Sequence, residues 1–173
     1  MAYYFIFPEK DSTLYSQPDR SSLNTGRDEI LELVKERGST NNLLYPSRIV
    51  IQFKNEDIKT AINEVVGHSN FQSTNSEVNL QLKVAQAQKL VSSININVFA
   101  LSQSWDEGTG RYSNLPSSSN GCSWEFRNNT TVATQWRTSS FASQTTGSIS
   151  SLLTQGGGSW FTSGSFTSTQ QFL

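Results

Sequence analysis

The sequence has little of the chemistry on which most enzymes and metalloproteins depend. Its 173 residues include one cysteine and one histidine, which excludes an internal disulfide and a cysteine-based zinc site. A catalytic triad would have to use His68, which lies in a predicted polar loop, and no serine sits in a G-x-S-x-G sequence. We therefore expect a non-enzymatic protein with no catalytic residues and no cofactor.

The chain also lacks an excess of charge of either sign, since 13 Lys and Arg accompany 14 Asp and Glu. Nucleic-acid-binding proteins usually carry a basic stripe or patch, so we expect no nucleic-acid partner. No stretch approaches the ~20 apolar residues of a membrane span, and residues 1–8 lack the basic region of a signal peptide. We expect a protein that is made in a cytoplasm and binds no membrane.

What the chain does contain is a series of short segments in which apolar and polar residues alternate. In residues 48–53 this places Ile49, Ile51 and Phe53 on one face, and residues 77–85 and 94–101 alternate in the same way. Such alternation predicts antiparallel strands that cover a core. In residues 77–85, four apolar side chains are expected to point inward: Val78, Leu80, Leu82 and Val84.

Further elements are predicted on both sides of these strands. Residues 3–7 read as a strand ended by Pro8, residues 9–26 as a polar turn-rich region, and residues 29–36 as a helix from their local spacing. Residues 57–66 predict a short helix with Asp57 as its N-cap and Gly67 as its stop. Short runs at 122–127, 131–136, 148–154, 159–162 and 165–173 predict more strands, with a flexible glycine turn at 156–158. Together they indicate one all-β domain, a sandwich or barrel, over residues 1–173.

Two groups of residues are candidates for a binding site. Asp106 and Glu107 are adjacent carboxylates that are either part of a solvated or hydrogen-bonded turn or ligands of a structural calcium ion. Aromatic residues in polar surroundings suit the stacking of sugar rings, although such large rings are more often part of a core. The candidates for glycan stacking are Trp105, Tyr112, Trp124 and Trp160, and Trp136 belongs to the same aromatic set.

Several motifs resemble the disaggregatase-related (DNRLRE) domain family over nearly the whole chain. Its W-x-E-G element is similar to Trp105-Asp106-Glu107-Gly108, followed by Tyr112 and Pro116. Its N-x-G turn is similar to Asn24-Thr25-Gly26, and its early strands are similar to residues 11–14 and 47–53. The resemblance implies a jelly-roll-like antiparallel β-sandwich in which residues 29–35 form a strand instead of a helix.

The resemblance also implies two functions. The amino-acid sequence is most similar to family members that are virion structural proteins of tailed phages. This similarity implies a tail, baseplate or capsid decoration component located in the virion. The partners would be other virion proteins or further copies in a symmetric assembly, and the charge-poor residues 138–173 are the expected contact surface. The alternative is a carbohydrate-binding module for adhesion to a host or polysaccharide.

Overall fold

The computed structural model describes residues 4–39, 42–67, 77–88, 96, 98–136 and 156–159. Within them the regular structure is mostly strand, arranged in antiparallel sheets, with one short helical segment. The predicted all-β class is therefore confirmed at this level. The strands predicted at 148–154 and 165–173, and most of the one at 159–162, lie outside the described residues.

The larger sheet has three antiparallel strands in the order β1-β3-β2. These are β1 (Pro8–Tyr15), β2 (Lys35–Arg37) and β3 (Leu44–Phe53), and β3 is paired on both sides. A second sheet pairs β4 (Phe126–Asn128) with β5 (Thr134–Gln135). Five segments predicted as strands therefore overlap observed ones, namely 48–53, 122–127, 131–136 and, through the family resemblance, 11–14 and 29–35.

The first strand begins later than the local pattern predicted. Residues 4–7 precede the sheet, and Pro8, which has no backbone N–H to donate, is the first residue of β1. The strand then runs through a segment that we predicted to be a polar loop. Polar composition predicted a loop here, but Ser12 and Thr13 are buried. Hydrogen bonds let these polar side chains occupy core positions, because the Ser12 hydroxyl pairs with the Thr25 hydroxyl and the Thr13 hydroxyl accepts the Glu32 N–H.

The helix predicted over residues 29–36 is wrong, and the strand implied by the resemblance is present only at β2. Residues 32–34 run alongside β3 and are held by Ser47. The Ser47 hydroxyl donates to the Glu32 carbonyl at 2.6 Å and accepts the Val34 N–H at 2.8 Å. Tertiary hydrogen bonds therefore override the helical spacing of the apolar residues.

The short helix near residues 57–66 is confirmed. It consists of α1 (Asn55–Thr60) and continues as a π-helix from Ala61 to Val66. It starts two residues earlier than predicted, so Asp57 lies in the first turn beside Glu56 and is not the N-cap. Both carboxylates suit the positive end of the helix dipole. The backbone turns at Gly67 with φ of 78°, as expected for a stop.

The strand predicted over residues 77–85 is wrong. Residues 77–88 form no strand, and Val78 and Val84 are 79% and 78% exposed. An alternating segment becomes a strand only when a neighbour satisfies its backbone groups and a core covers its apolar face. No strand among the described residues pairs with this segment. In the other alternating segment, 94–101, residues 98–100 also lack strand structure, and Leu101 packs against the core.

The buried core lies between β1, β3 and the loops that surround β4. Its apolar members are Leu14, Val50, Trp105, Cys122, Trp124 and Trp136. The core-facing residue of β3 is thus Val50, whereas Ile49, Ile51 and Phe53, which we expected to share the core face, are half-buried. The opposite face of β3 is consequently only partly covered within the described residues.

The glycine turn at 156–158 is packed and not a flexible connection. All three glycines have positive φ, and the Gly157 N–H donates to the Trp124 carbonyl at 2.6 Å. The Arg48 guanidinium donates to the carbonyls of Gly156 and Gly157 and lies over the Trp124 ring at 4.6 Å. A β-carbon on Gly157 would meet that ring at 2.7 Å. Close backbone approach to an indole is the physical reason for glycine here.

Candidate functional site

The two most distinctive motifs of the sequence meet at the buried side chain of Asn24. Its Nδ2 donates to the carbonyls of Glu107 and Cys122 at 2.7 and 2.8 Å. Its Oδ1 accepts the Gly110 N–H at 2.8 Å, and its own N–H donates to the Ser117 carbonyl at 2.8 Å. The residue is fully buried, so this amide joins the N-x-G turn to the W-x-E-G element from inside the fold. We call it the Asn24 node.

Glycines surround the Asn24 node because the backbone must approach the amide closely. A β-carbon on Gly108 would lie 2.4 Å from Asn24 Oδ1, and Gly108 also has φ of +80°. Gly121 has φ of +64°, and its β-carbon would lie 2.6 Å from Asn24 Nδ2. Side chains are strained at these φ values and would displace the amide. Packing and hydrogen bonding around the Asn24 amide therefore explain why Gly108 and Gly121 are glycines.

The two carboxylates proposed as calcium ligands are not brought together. Asp106 is exposed, and its backbone carbonyl accepts the Cys122 N–H at 2.7 Å. The Glu107 carboxylate instead accepts the Asp11 N–H of β1 at 3.1 Å. Among the residues that the structure describes, no three His, Cys, Asp or Glu side chains come together as metal ligands would. Both residues thus lie in a segment held by hydrogen bonds, Asp106 through its backbone and Glu107 through its side chain.

Asp11 and Glu107 form a carboxylate pair that sequence reasoning missed. Burial raises the pKa of the Asp11 carboxyl, and the nearby charge of Glu107 raises it further. Beside them the Lys10 ammonium donates to the Trp105 carbonyl and lies 4.6 Å from the centre of the indole ring. The pair joins the outer edge of β1 to the W-x-E-G element. It could not be read from a sequence in which the two residues are 96 positions apart.

Two of the four aromatic residues proposed for sugar stacking are buried. Trp105 and Trp124 are 3% and 5% exposed, and each carries a cation over its ring, Lys10 and Arg48 respectively. They serve the core, as does Trp136, because a chain of this size needs large rings to fill its interior. A sugar cannot reach either ring. Trp160 and His68 lie outside the described residues.

The fourth candidate, Tyr112, borders an open cleft of about 340 Å³. Tyr112 is 37% exposed, its ring lies 5.6 Å from that of Tyr15, and the Arg20 guanidinium lies 4.9 Å from its centre. The cleft runs between residues 27–32 and the turn that is closed by the Arg111–Leu115 bridge. We call it the tyrosine cleft.

The walls of the tyrosine cleft carry both hydrogen-bond donors and acceptors. Asp28, Glu29, Glu32, Arg27 and Arg111 line the cleft, and the Arg111 guanidinium lies 3.8 Å from the Glu29 carboxylate. The Tyr15 hydroxyl donates to Glu32 at 2.6 Å, and burial followed by this contact raises the pKa of Tyr15. Burial also raises the pKa of Asp28. An aromatic wall beside mixed polar groups is a common composition for a small-molecule site.

A second depression lies on the half-covered face of β3. It has a volume of about 590 Å³ and runs between the end of β3, the first turn of α1 and residues 100–105. Its apolar lining includes Ile51, Phe53, Ile58, Leu101 and Trp105, and none of the described residues along it is charged. We call it the apolar groove. The alternation of residues 48–53 correctly placed Ile51 and Phe53 on one face of a strand. That face was expected to cover the core, whereas in the structure it lines the groove.

Comparison of the chain with protein-family models, with curated proteins and with solved structures finds no match. The resemblance to the disaggregatase-related domain thus stays a prediction. Within the described residues, no helix has the length and apolar character needed to cross a membrane.

Proposed function

We propose that this chain is a structural component of a phage virion, in the tail, baseplate or capsid decoration, and that it acts by protein–protein assembly without catalysis. The observation that supports assembly is the exposure of large apolar side chains on several separate segments. Phe5, Phe7, Val78 and Val132 are each more than 70% exposed. Apolar surface marks a contact site for a partner where it is contiguous, and Phe5 and Phe7, two residues apart on one short segment, are the part of this set that supports assembly. The location in a virion rests on the resemblance of the sequence motifs.

The same proposal includes the finer architecture. The core lies between β1, β3 and the loops around β4, and the three-stranded sheet and the β4–β5 sheet would form parts of a jelly-roll-like sandwich. Such a sandwich is a rigid block whose outer edges need protection from uncontrolled pairing. The outer edge of β1 has that protection, since the Asp11 and Thr13 N–H groups are bonded by the side chains of Glu107 and Thr25. At the other edge, β2 presents the charged side chains of Lys35 and Arg37. Assembly would then use apolar side-chain contacts instead of strand addition at these edges.

Immunogold electron microscopy tests the virion proposal. Antibody against the recombinant protein is applied to purified virus particles from the source of the sequence. Label on the head would identify a capsid decoration protein, and label on the tail tip or baseplate would identify a tail component. Absence of label from all particles, with the protein recovered free or on cells, would refute the virion assignment. Particles stained with pre-immune serum provide the control.

A second candidate function, glycan binding, is favoured by the tyrosine cleft. Sugar hydroxyls both donate and accept hydrogen bonds, and the cleft offers carboxylate acceptors and guanidinium donors around a partly exposed aromatic ring. The two functions are compatible, since a virion protein that binds host glycans serves adhesion. If the cleft binds glycan, the ring of Tyr112 is the stacking surface and Asp28 fixes the backbone beside it by accepting the Tyr112 N–H at 3.0 Å.

Binding to immobilised host polysaccharide tests this second function. We expect saturable binding by the native chain and a loss of about tenfold or more in affinity for Tyr112→Ala, as for other aromatic anchors. Tyr4→Ala is the matched control, because Tyr4 is 46% exposed and lies outside the cleft. Absence of saturable binding, or equal losses in both variants, would contradict the assignment of the cleft.

A further inference from the structure

The sequence contains one Asn-Gly pair, Asn120-Gly121, which lies before β4. The side-chain amide of an asparagine is open to attack by the backbone nitrogen of the next residue. Glycine hinders this attack least, because it has no β-carbon and reaches conformations that other residues avoid. The pair is therefore a position at which the covalent structure of the chain can change without an enzyme or a cofactor.

The reaction that threatens this pair is deamidation, and it needs only water. The Gly121 nitrogen loses its proton and forms a bond to the side-chain carbonyl carbon of Asn120, which closes a succinimide ring. The bond from that carbon to the side-chain nitrogen breaks, and ammonia leaves with the proton. Water then opens the ring on one of its two sides. One opening gives aspartate, and the other gives isoaspartate, in which the former side chain carries the backbone to Gly121.

Hydrogen bonds to two threonine hydroxyls hold both reacting groups in the folded turn. Asn120 Nδ2 donates to the Thr109 hydroxyl at 2.6 Å. The Thr130 hydroxyl accepts the Gly121 N–H at 3.2 Å and donates to Asn120 Oδ1 at 3.5 Å. Thr130 is itself held, because its N–H donates to Asn128 Oδ1 at 2.8 Å. The N–H that must lose its proton is thus engaged, and the amide that it would attack is fixed at both ends.

The residues that follow Asn120 are anchored in the Asn24 node. Gly121 is buried, and a β-carbon on it would lie 2.4 Å from Gly108 Cα and 2.6 Å from Asn24 Nδ2. Cys122 is fully buried, and its N–H donates to the Asp106 carbonyl at 2.7 Å. Isoaspartate lengthens the backbone by one carbon. Because neither Gly121 nor Cys122 has room to move, the longer backbone would displace the Asn24 amide from its partners.

We propose that Asn120-Gly121 is a site of spontaneous deamidation that the folded turn protects through the Thr130 hydroxyl. While the turn is closed, its hydrogen bonds keep the nitrogen and the amide from reacting. When the turn opens, the succinimide forms, and the isoaspartate product prevents the turn from closing again around Asn24. Deamidation thus makes a transient opening permanent. This modification is independent of the proposed assembly function and of where the protein is located.

Peptide mass spectrometry of the full chain, incubated at pH 8 with and without guanidinium chloride, tests the protection. Chromatography separates the aspartate and isoaspartate peptides, and enzymatic methylation of isoaspartate confirms the second product. We expect conversion at Asn120 to be about tenfold or more faster in the unfolded chain, because only the open turn reacts. Equal rates in the folded and unfolded chains would overturn the inference, and so would the absence of conversion in both.

The variant Thr130→Val tests the role of the hydroxyl, because valine keeps the shape of threonine but can neither accept nor donate a hydrogen bond. The folded chain should then convert about two- to tenfold faster, the range that the net free energy of one hydrogen bond gives. Thr131→Val is the matched control, since Thr131 is the exposed neighbour, and it should leave the rate unchanged. Equal rates in these two variants would refute the protective role of Thr130.

A third variant separates opening of the turn from general loss of stability. Ser47→Ala removes the two hydrogen bonds that hold residues 32–34 beside β3, so it destabilises the fold outside the turn. Its conversion rate at Asn120 should equal that of the native chain. A rise as large as that of Thr130→Val would mean that global unfolding exposes the pair, and the proposed protection by the turn would be wrong.

Unfolding of the modified chain tests the connection to the Asn24 node. Ion exchange separates the isoaspartate product from unmodified chain, and its urea midpoint should lie below that of the native protein. Asn120→Asp introduces the same charge without the extra backbone carbon, so its midpoint should fall by less. An isoaspartate product that unfolds at the native midpoint, or no lower than Asn120→Asp, would contradict the displacement of Asn24.

Discussion

Replacing Asn24 by alanine should remove the connection between the N-x-G turn and the W-x-E-G element. In the native chain the Asn24 amide satisfies three buried backbone groups, the carbonyls of Glu107 and Cys122 and the N–H of Gly110. Alanine can neither donate nor accept in their place. All three groups lose this partner, and the side chain that held the two motifs together is replaced by a small cavity.

The expected loss follows from the cost of unpaired buried groups. Each such group costs about 1–3 kcal/mol, and entry of water into the vacated space recovers part of that cost. We expect Asn24→Ala to lower the free energy of unfolding by about 3–5 kcal/mol. A loss of this size takes away a large share of the ~5–15 kcal/mol that is typical of a folded domain. The variant should fold at low temperature but unfold in much less denaturant.

Urea unfolding followed by tryptophan fluorescence measures this loss. Trp105, Trp124 and Trp136 are buried and will report exposure of the core. With a slope of about 2 kcal/mol per molar urea, the midpoint should fall by about 1.5–2.5 M while the slope stays unchanged. A changed slope would mean that the variant had altered the compactness of one of the two states instead of only their free-energy difference.

Two further variants control the interpretation. Asn79→Ala removes an exposed asparagine outside any strand or helix and should change the free energy of unfolding by less than about 0.5 kcal/mol. Asn24→Asp keeps the shape but places a carboxylate oxygen against the Glu107 and Cys122 carbonyls, so it should destabilise at neutral pH at least as much as alanine. A loss below about 1 kcal/mol for Asn24→Ala would refute the reasoning that the buried amide holds the two motifs together.

Three other predictions concern titration, thiol reactivity and the glycine turn. Because burial and Glu107 raise the pKa of Asp11, the folded state disfavours its charge. Asp11→Asn should therefore raise the melting temperature at pH 7, and the gain should disappear as the pH falls below the ordinary pKa of 3.8. The Cys122 thiol should resist a disulfide reagent at pH 8 until urea unfolds the chain, and fast labelling of the native protein would contradict its burial. Gly157→Ala should cost about 1–3 kcal/mol in urea unfolding, because its φ is +70° and the Trp124 ring is adjacent; an unchanged midpoint would contradict this.

Apolar alternation predicted strands correctly only where a partner strand was available. Residues 48–53 alternate and form part of β3, which is paired on both sides. Residues 77–85 alternate more regularly but carry no strand and leave Val78 and Val84 exposed. The pattern fixes which side chains share a face, whereas pairing depends on residues far away in the chain. The buried polar residues Ser12 and Thr13 show the converse case, because distant hydroxyl contacts place them in a core that composition alone would not assign.

The candidate site could be predicted only as a set of motifs. Trp105, Glu107, Gly108 and Asn24 were all identified from their sequence context, and the structure brings them together. In the structure, hydrogen bonds of the Asn24 amide to backbone groups connect these motifs. An amide that is satisfied by backbone groups of another segment cannot be recognised from one sequence. Of the cleft and the groove, sequence reasoning identified Tyr112 and the alternation that includes Ile51 and Phe53. Cleft residues such as Asp28 and Arg111 come together only through the fold.

Quantitative mass spectrometry of gradient-purified virus particles tests the central claim most directly. If the chain is a virion component, its peptides should peak in the same fractions as the particles, at a copy number fixed relative to a known structural protein. The ratio should persist after a second gradient at high salt, because the proposed contacts are apolar. Peptides found only in the soluble fractions, or a ratio that declines with each purification step, would contradict the account.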